Sequence, residues 1–208
     1  MQNNKSLLIG VGGFVIGLII SPLFFHGGNS WTGTNMMGNQ TSQSNSMIGN
    51  IDENFIEQMI PHHESAIAMA NFASSKAEHS EIKQLSQNII TSQTLEINEM
   101  KGWYKQWFGK DVVIVRSGMM GNSGSAGGMM NMGMMGDQTD MTKLQNSKPF
   151  DKAFIEEMIP HHQMAVMMAH MLETSTTRPE MKKLAQNIIT AQTNEINQMR
   201  EWYKTWYN

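Results

Sequence analysis

The sequence contains two copies of one segment, and this duplication constrains the fold more than any other feature. The five residues Met-Ile-Pro-His-His occur at 59–63 and again at 158–162. Around them, the segments that begin at Asp52 and Asp151 align without a gap, and more than half of the aligned positions are identical. Such similar segments are expected to adopt one local structure, so the fold is predicted to consist of two equivalent units.

Each copy has the apolar periodicity of two amphipathic helices. In the first copy the inward positions are Phe55, Met59, His62, Ala66, Met69 and Ala73, then Ile82, Leu85, Ile89, Ser92, Glu96 and Trp103. A lone helical hairpin buries little apolar surface, whereas two hairpins packed together enclose one core. The sequence therefore predicts an all-α fold, a four-helix bundle made of two tandem helical hairpins at residues 51–108 and 148–208.

Pro61 and Pro160 lie inside these predicted helices. Proline lacks an amide N–H, and its ring clashes with the carbonyl four residues back. If Pro61 began a new helix, Ile60 would be the N-cap, and isoleucine is a poor N-cap. We therefore expect a kink within one longer helix, which begins near Asp52 in the first copy and near Asp151 in the second.

Residues 1–25 are predicted to be a signal anchor or a cleaved signal peptide. The uncharged stretch 7–25 is at the lower end of the length that spans a bilayer, and it is longer than most signal-peptide apolar regions. Lys5 precedes it, and the next Lys or Arg is Lys76. By the positive-inside rule the C-terminal part then lies in the periplasm or on the outer face of the cytoplasmic membrane.

Two stretches have the composition of disordered linkers: residues 26–50, rich in Gly, Ser, Asn and Gln, and residues 109–147, rich in Met and Gly. Such segments bury too little apolar surface to order themselves. Exposed thioethers on a mobile arm can surround a soft ion, so one interpretation of these methionines is copper capture. The alternative is low-complexity drift, in which the methionines have no binding role. The methionines concerned are Met36, Met37, Met119, Met120, Met129, Met130, Met132, Met134 and Met135.

The composition excludes several kinds of site. The chain has no cysteine, so disulfides, thiolate metal sites and cysteine nucleophiles are excluded. A formal charge of -3 with 16% charged residues does not favour nucleic acid as a partner. Di-iron bundles use a Glu-x-x-His pair on two helices, and no such pair occurs in this chain.

The residues around the repeated motif carry soft and intermediate metal ligands. On the predicted first helix Met59, His62 and Met69 share one face, and His63 follows Met59 by about one helical turn. Thioethers together with imidazoles select Cu(I), and Ag(I) by analogy, while imidazole also accepts Cu(II). The candidate ligands are Met59, His62, His63, Met69 and Met100 in the first copy, and Met158, His161, His162 and Met199 in the second.

Each of these residues also has a structural interpretation. An inward His or Met is commonly a core residue, but adjacent histidines flanked by methionines, present twice, favour a metal role. Met100 and Met199 fit either metal binding or packing. Glu96 and Glu195 are interpreted as partners that orient a histidine, or as members of ion pairs.

The second copy carries further candidate ligands, which are Met164, Met167, Met168, His170 and Met171. Met167, His170 and Met171 have the three- and four-residue spacing that favours an additional site on one helix face. The first copy lacks ligands at the positions that match this trio, so the second copy is expected to bind more metal. His26 and His79 have no counterpart and are expected in solvent or in loops.

The motif F-I-x-x-M-I-P-H-H-x-x-A-x-x-M-A, followed by I-I-x-x-Q-x-x-E-I-x-x-M-x-x-W, resembles the helical family catalogued as domain of unknown function 305. The match covers both copies, roughly residues 55–107 and 154–206. The resemblance implies a ferritin-like four-helix fold and the binding of Cu(I), Cu(II) and Ag(I) in the periplasm. By motif position it implies ligation by Met59, His62, His63, Met69, Met100, Met158, His161, His162, Met168 and Met199.

The sequence therefore predicts an extracytoplasmic protein that sequesters or carries Cu(I) and Cu(II), with Ag(I) as a surrogate, and that is not an enzyme. It would contribute to copper resistance and homeostasis, with a copper exporter or a sensor kinase as the candidate partner. Two alternatives stay open. One is a cuprous-ion oxidase, because His and Met sites can cycle copper, and the other is a structural interaction module with core histidines.

Overall fold

A computed structural model describes residues 51–113 and 138–208 of the chain. These ranges contain five α-helices and no β-strand: α1 (Ile51–Lys76), α2 (Ser80–Phe108), α3 (Gln138–Asn146), α4 (Phe150–Ser175) and α5 (Pro179–Tyr207). None of the helices in the described ranges is long and apolar enough to cross a membrane. The segments predicted at 1–25 and 26–50, and the linker methionines, lie outside the described residues.

The four long helices form two antiparallel hairpins, each closed by a three-residue turn. In the first, His63 near the middle of α1 contacts Glu96 of α2, and Glu57 near the start of α1 accepts a hydrogen bond from the Tyr104 hydroxyl near the end of α2. In the second hairpin the Tyr203 hydroxyl donates to Glu156 at 2.8 Å. The two hairpins therefore have equivalent internal contacts, as the duplication predicts.

Both prolines of the repeated motif lie inside continuous helices. Pro61 is in α1 and Pro160 is in α4, and neither begins a new helix. The helices begin one residue before Asp52 and Asp151, close to the predicted starts. At the far end of α2, Gly109 adopts the left-handed conformation at φ 68°, which glycine tolerates without strain, and the helix ends there.

The two hairpins pack together mainly through α1 and α4. These helices run antiparallel, because Asp52 at the start of α1 contacts Arg178 after α4, and Asp151 at the start of α4 contacts His79 after α1. The core divides into two clusters, and each draws residues from both hairpins. The first core cluster contains Phe55, Met59, Ile97, Met100 and Tyr104 together with Ala165, Ala169, Leu172, Met181 and Leu184. The second core cluster contains Ala66, Met69, Ala73, Ile82 and Leu85 together with Phe150, Phe154, Ile155, Met158 and Met199.

Helix α3 was not predicted, because it lies within the stretch 109–147 that was interpreted as a linker. Its sequence is polar and too short to display a helical apolar period. It is attached through Leu144, which is 1% exposed and belongs to the second core cluster. The ordered second half of the protein therefore begins about ten residues earlier than the boundary at 148.

Candidate metal centre

His62 of α1 and His161 of α4 have their rings in contact between the two hairpins. Their ring centroids are 3.8 Å apart and their planes are inclined by 42°. The two residues occupy equivalent positions in the two copies, so each hairpin contributes the same residue to this contact. All four of their ring nitrogens are buried and have no hydrogen bond of acceptable geometry within the protein.

His63 and His162 extend this centre into the two hairpins. Their ring centroids are 6.4 and 6.3 Å from those of His62 and His161, respectively. Both side chains are fully buried, and each Nε2 atom lies 2.7 Å from a carboxylate oxygen, of Glu96 in one hairpin and Glu195 in the other. Their Nδ1 atoms have no hydrogen-bond partner. Four imidazoles thus form one buried layer across the bundle.

Burial keeps the central imidazoles uncharged. Desolvation, reinforced by repulsion from His63 and His162, lowers the pKa of His62 to about 3, and a contact with the backbone of His161 opposes this only in part. Desolvation and the other three histidines likewise hold the pKa of His161 well below its ordinary value. A neutral imidazole is the form that binds metal, so no proton has to be displaced from this pair near neutral pH.

The unpartnered nitrogens are costly unless a ligand satisfies them. A neutral imidazole has one donor and one acceptor nitrogen, and each buried polar group without a partner costs about 1–3 kcal/mol. No group of three or more His, Asp or Glu side chains is arranged to hold a metal ion within 51–113 and 138–208. Imidazole nitrogens lie at the contact of His62 with His161, and thioethers lie in the two adjoining core clusters.

The core methionines fall into two sets, and each set contains residues from both hairpins. Met59 and Met100 are fully buried in the first core cluster, and Met168 of the other copy packs against this cluster. Met69 of the first copy instead joins Met158 and Met199 in the second core cluster. The sequence placed Met69 on the same helix face as Met59. In the structure the two residues lie in different core clusters, because α1 and α4 run antiparallel and the end of each helix lies at the start of the other.

The trio predicted as an additional site lies on the outer surface of α4. Met167 and Met171 are 39% and 59% exposed, and His170 is also exposed. The Nδ1 atom of His170 is 3.7 Å from a carboxylate oxygen of Glu173. Met164, the remaining candidate, is half-buried. This surface trio is thus separate from the buried histidine layer and accessible to solvent.

Gln93 and Gln192 are buried polar residues that the sequence analysis missed. Each is 3% exposed, and amide atoms of both have no hydrogen-bond partner. Gln93 is four residues from Ile89 and from Ile97, so it occupies an inward position of the apolar stripe. That interruption of the stripe was the available signal. The two glutamines add uncharged donors and acceptors to the interior of the bundle.

A protein-family model described as "Domain of unknown function (DUF305)" matches residues 52–203. Among curated proteins, an uncharacterised protein of Acanthamoeba polyphaga mimivirus is 47% identical over 49 residues, which are 24% of this chain and 32% of that protein. The chain therefore spans about a third of the length of this relative.

Solved structures of CopM are similar to this chain over about three quarters of its length. The Cu(II)-bound form is 51% identical with a TM-score of 0.65, and the similarity covers 75% of this chain and 97% of that one. The Cu(I)-bound form is 47% identical with a TM-score of 0.63, covering 76% and 98%. A silver-bound form obtained by soaking is 46% identical with a TM-score of 0.63, covering 76% and 97%.

Proposed function

We propose that this chain, which belongs to the DUF305 family, is an extracytoplasmic copper-binding protein. It sequesters or carries Cu(I) and Cu(II) through histidine and methionine ligands and contributes to copper resistance and homeostasis. The observation that carries the proposal is the contact between His62 and His161, whose four ring nitrogens are buried, unpartnered and held uncharged.

The chemistry of the donors supports a soft ion. Imidazole nitrogen accepts both Cu(I) and Cu(II), and thioethers add a preference for Cu(I) and Ag(I) over hard cations. The copper-bound and silver-bound forms of CopM, at 46–51% identity, support the same ions for this chain. Silver is then a stable surrogate for Cu(I) in experiments.

The proposed ligands have different roles according to their places. The His62–His161 pair would be the central binding element, with His63 and His162 beside it. The buried thioethers would line the approach from both core clusters, and the proposed members are Met59, Met69, Met100, Met158, Met168 and Met199. The surface trio of Met167, His170 and Met171, with Met164 nearby, would be a second, exposed site.

Binding rather than catalysis is part of the same proposal. A cuprous-ion oxidase would need copper to cycle between two states with oxygen, and it predicts sustained oxygen consumption when Cu(I) is supplied. The proposed compartment is the periplasm or the outer face of the cytoplasmic membrane, with residues 1–25 as signal peptide or anchor. A copper exporter or a sensor kinase is the proposed delivery partner.

The decisive experiment is a titration of the full chain with Ag(I) or Cu(I), followed through the imidazole signals in NMR spectra. We expect the rings of His62 and His161 to respond together, and the double variant H62Q/H161Q to lose this binding event. The control is H170Q, which removes a histidine of the surface trio and should leave the joint response of His62 and His161 unchanged. If H62Q/H161Q bound the ion in the core as tightly as the wild type, the proposal would be wrong and the histidines would be structural.

A further inference from the structure

The two ends of the interface between the hairpins are held by equivalent contacts. At one end His79, in the turn of the first hairpin, contacts Asp151 and Trp206 of the second. At the other end Arg178, in the turn of the second hairpin, contacts Asp52 and Trp107 of the first. We call these sets the His79 clamp and the Arg178 clamp. Each clamp consists of a basic residue, a buried aspartate and a tryptophan from the other hairpin.

The His79 clamp is tightly bonded. The Nδ1–H of His79 donates to Oδ2 of Asp151 at 2.7 Å, and the backbone N–H of His79 donates to the same oxygen at 2.8 Å. The backbone N–H of Glu78 donates to both carboxylate oxygens, at 3.0 and 3.1 Å. The imidazole also stacks on Trp206, with centroids 3.7 Å apart and planes inclined by 9°. His79 lies in a loop, as the sequence predicted, and from there it joins the two hairpins.

The Arg178 clamp has the same plan with a different basic group. The Nε atom of Arg178 lies 3.1 Å from Oδ2 of Asp52, and the guanidinium carbon lies 4.1 Å from the centre of the Trp107 ring. Asp52 is 4% exposed and Asp151 is 2% exposed, so both carboxylates are buried against the opposite hairpin. A guanidinium stays charged at all relevant pH values, whereas an imidazole gains or loses its charge near neutrality.

We propose that the His79 clamp is a pH-dependent latch between the two hairpins, whereas the Arg178 clamp holds them at every pH. When His79 is protonated, the hydrogen bond to Asp151 joins two opposite charges, and such bonds are about twice as strong as neutral ones. When His79 is neutral, Nδ1–H still donates, but the attraction between charges is gone. The latch therefore tightens as pH falls.

The acidic groups around this turn favour the same direction. Asp151 from α4 bonds to His79, Glu78 is the neighbour of His79 in the turn, and both carboxylates act on Tyr207 at the end of α5. Burial, with repulsion from Asp151 and Glu78, raises the pKa of the Tyr207 hydroxyl, so this tyrosine stays uncharged near neutral pH. A protonated imidazole at this position meets the Asp151 carboxylate and stacks on Trp206.

The test is amide hydrogen exchange in the full, metal-free chain, read at the backbone amides of Glu78 and His79. These amides donate to Asp151, so they report directly on the latch. After correction for intrinsic exchange, we expect their protection to fall by about fivefold between about pH 5.5 and about pH 8. Global unfolding would change protection in the opposite direction, because the buried histidine layer becomes more stable as pH rises.

Three variants decide the outcome. In H79R the protection at residues 78 and 79 should lose its decrease with rising pH, because arginine remains charged. In D151N it should be low at both pH values. In R178H the indole N–H signal of Trp107 should acquire a titration near neutral pH that the wild type lacks. A wild type without the decrease, an H79R variant as steep as the wild type, or an R178H variant without the new titration would overturn the latch.

Discussion

The Nε2–H group of His63 donates to the Oε2 atom of Glu96 at 2.7 Å, and this hydrogen bond decides which nitrogen of the ring remains free. A carboxylate only accepts, so the proton is on Nε2 and the lone pair is on Nδ1, which is buried and without a partner. His162 and Glu195 repeat the arrangement at the same distance. Each carboxylate therefore orients an imidazole and raises its basicity as a metal ligand.

Removing the charge of these carboxylates should weaken metal binding. In the double variant E96Q/E195Q we expect the affinity for Ag(I) or Cu(I) to fall by about 10–100-fold, the usual effect of losing a partner behind a metal-binding histidine. Competition with a chelator of known affinity measures the change. E99Q, which alters an acidic residue one turn further along α2, is the matched control and should bind as the wild type does. Equal affinity in E96Q/E195Q would contradict the positioning role.

The metal-free protein should lose stability as the solution becomes acidic. The folded pKa of His62 is depressed to about 3 while the unfolded chain titrates near about 6.5, so unfolding takes up a proton between these values. The stability is complete above the unfolded pKa and falls with pH from there towards the folded pKa. His62 alone should account for about 2 kcal/mol between pH 7 and pH 5.

Denaturant unfolding at a series of pH values measures this loss. The variant H62L/H161L, which removes both depressed imidazoles, should have a flatter profile over the same range. A wild-type profile as flat as that of the variant would show that the central histidines are not held neutral in the folded state.

Leucine substitution distinguishes metal binding by the buried thioethers from a role in core packing. Leucine fills nearly the same volume as methionine, so M59L/M100L and M158L/M199L should each cost less than about 1.5 kcal/mol per site. If the sulfur atoms bind Cu(I), both variants should bind it more weakly while retaining the fold. Thermal unfolding without metal and a Cu(I) titration provide the two measurements. Unchanged Cu(I) affinity in both variants would assign these methionines to packing alone.

The exposed trio on α4 should bind silver independently of the core. We expect Ag(I) to shift the ring signals of His170, and M167L/M171L to remove this shift without changing the response of His62. Because the side chains are exposed, the variant should alter stability by no more than about 0.5 kcal/mol. M59L/M100L, which changes methionines of the core instead, is the control and should retain the shift. Loss of the His62 response in M167L/M171L would mean that the two sites are not separate.

Local sequence patterns predicted the helices of the two hairpins. The contacts between the hairpins depend on how the hairpins pack together, which these patterns do not specify. The apolar period and the duplication were sufficient for the two hairpins, and the poor N-cap that Ile60 would make placed Pro61 inside one longer helix. They did not specify which helices would pair between hairpins, so the contact of His62 with His161 and the transfer of Met69 to the second core cluster were not predictable. Helix α3 was not predicted, because one buried leucine, Leu144, does not produce an apolar periodicity.

The contact between His62 and His161 has a consequence for how the protein behaves on dilution. His62 and His161 come from equivalent positions, so a chain with a single hairpin could form the same pair only by dimerising, and the fraction assembled would fall with concentration. Joining two hairpins in one chain makes the encounter intramolecular. Assembly of the buried pair is then independent of protein concentration, and the two halves are free to differ, as His79 and Arg178 do.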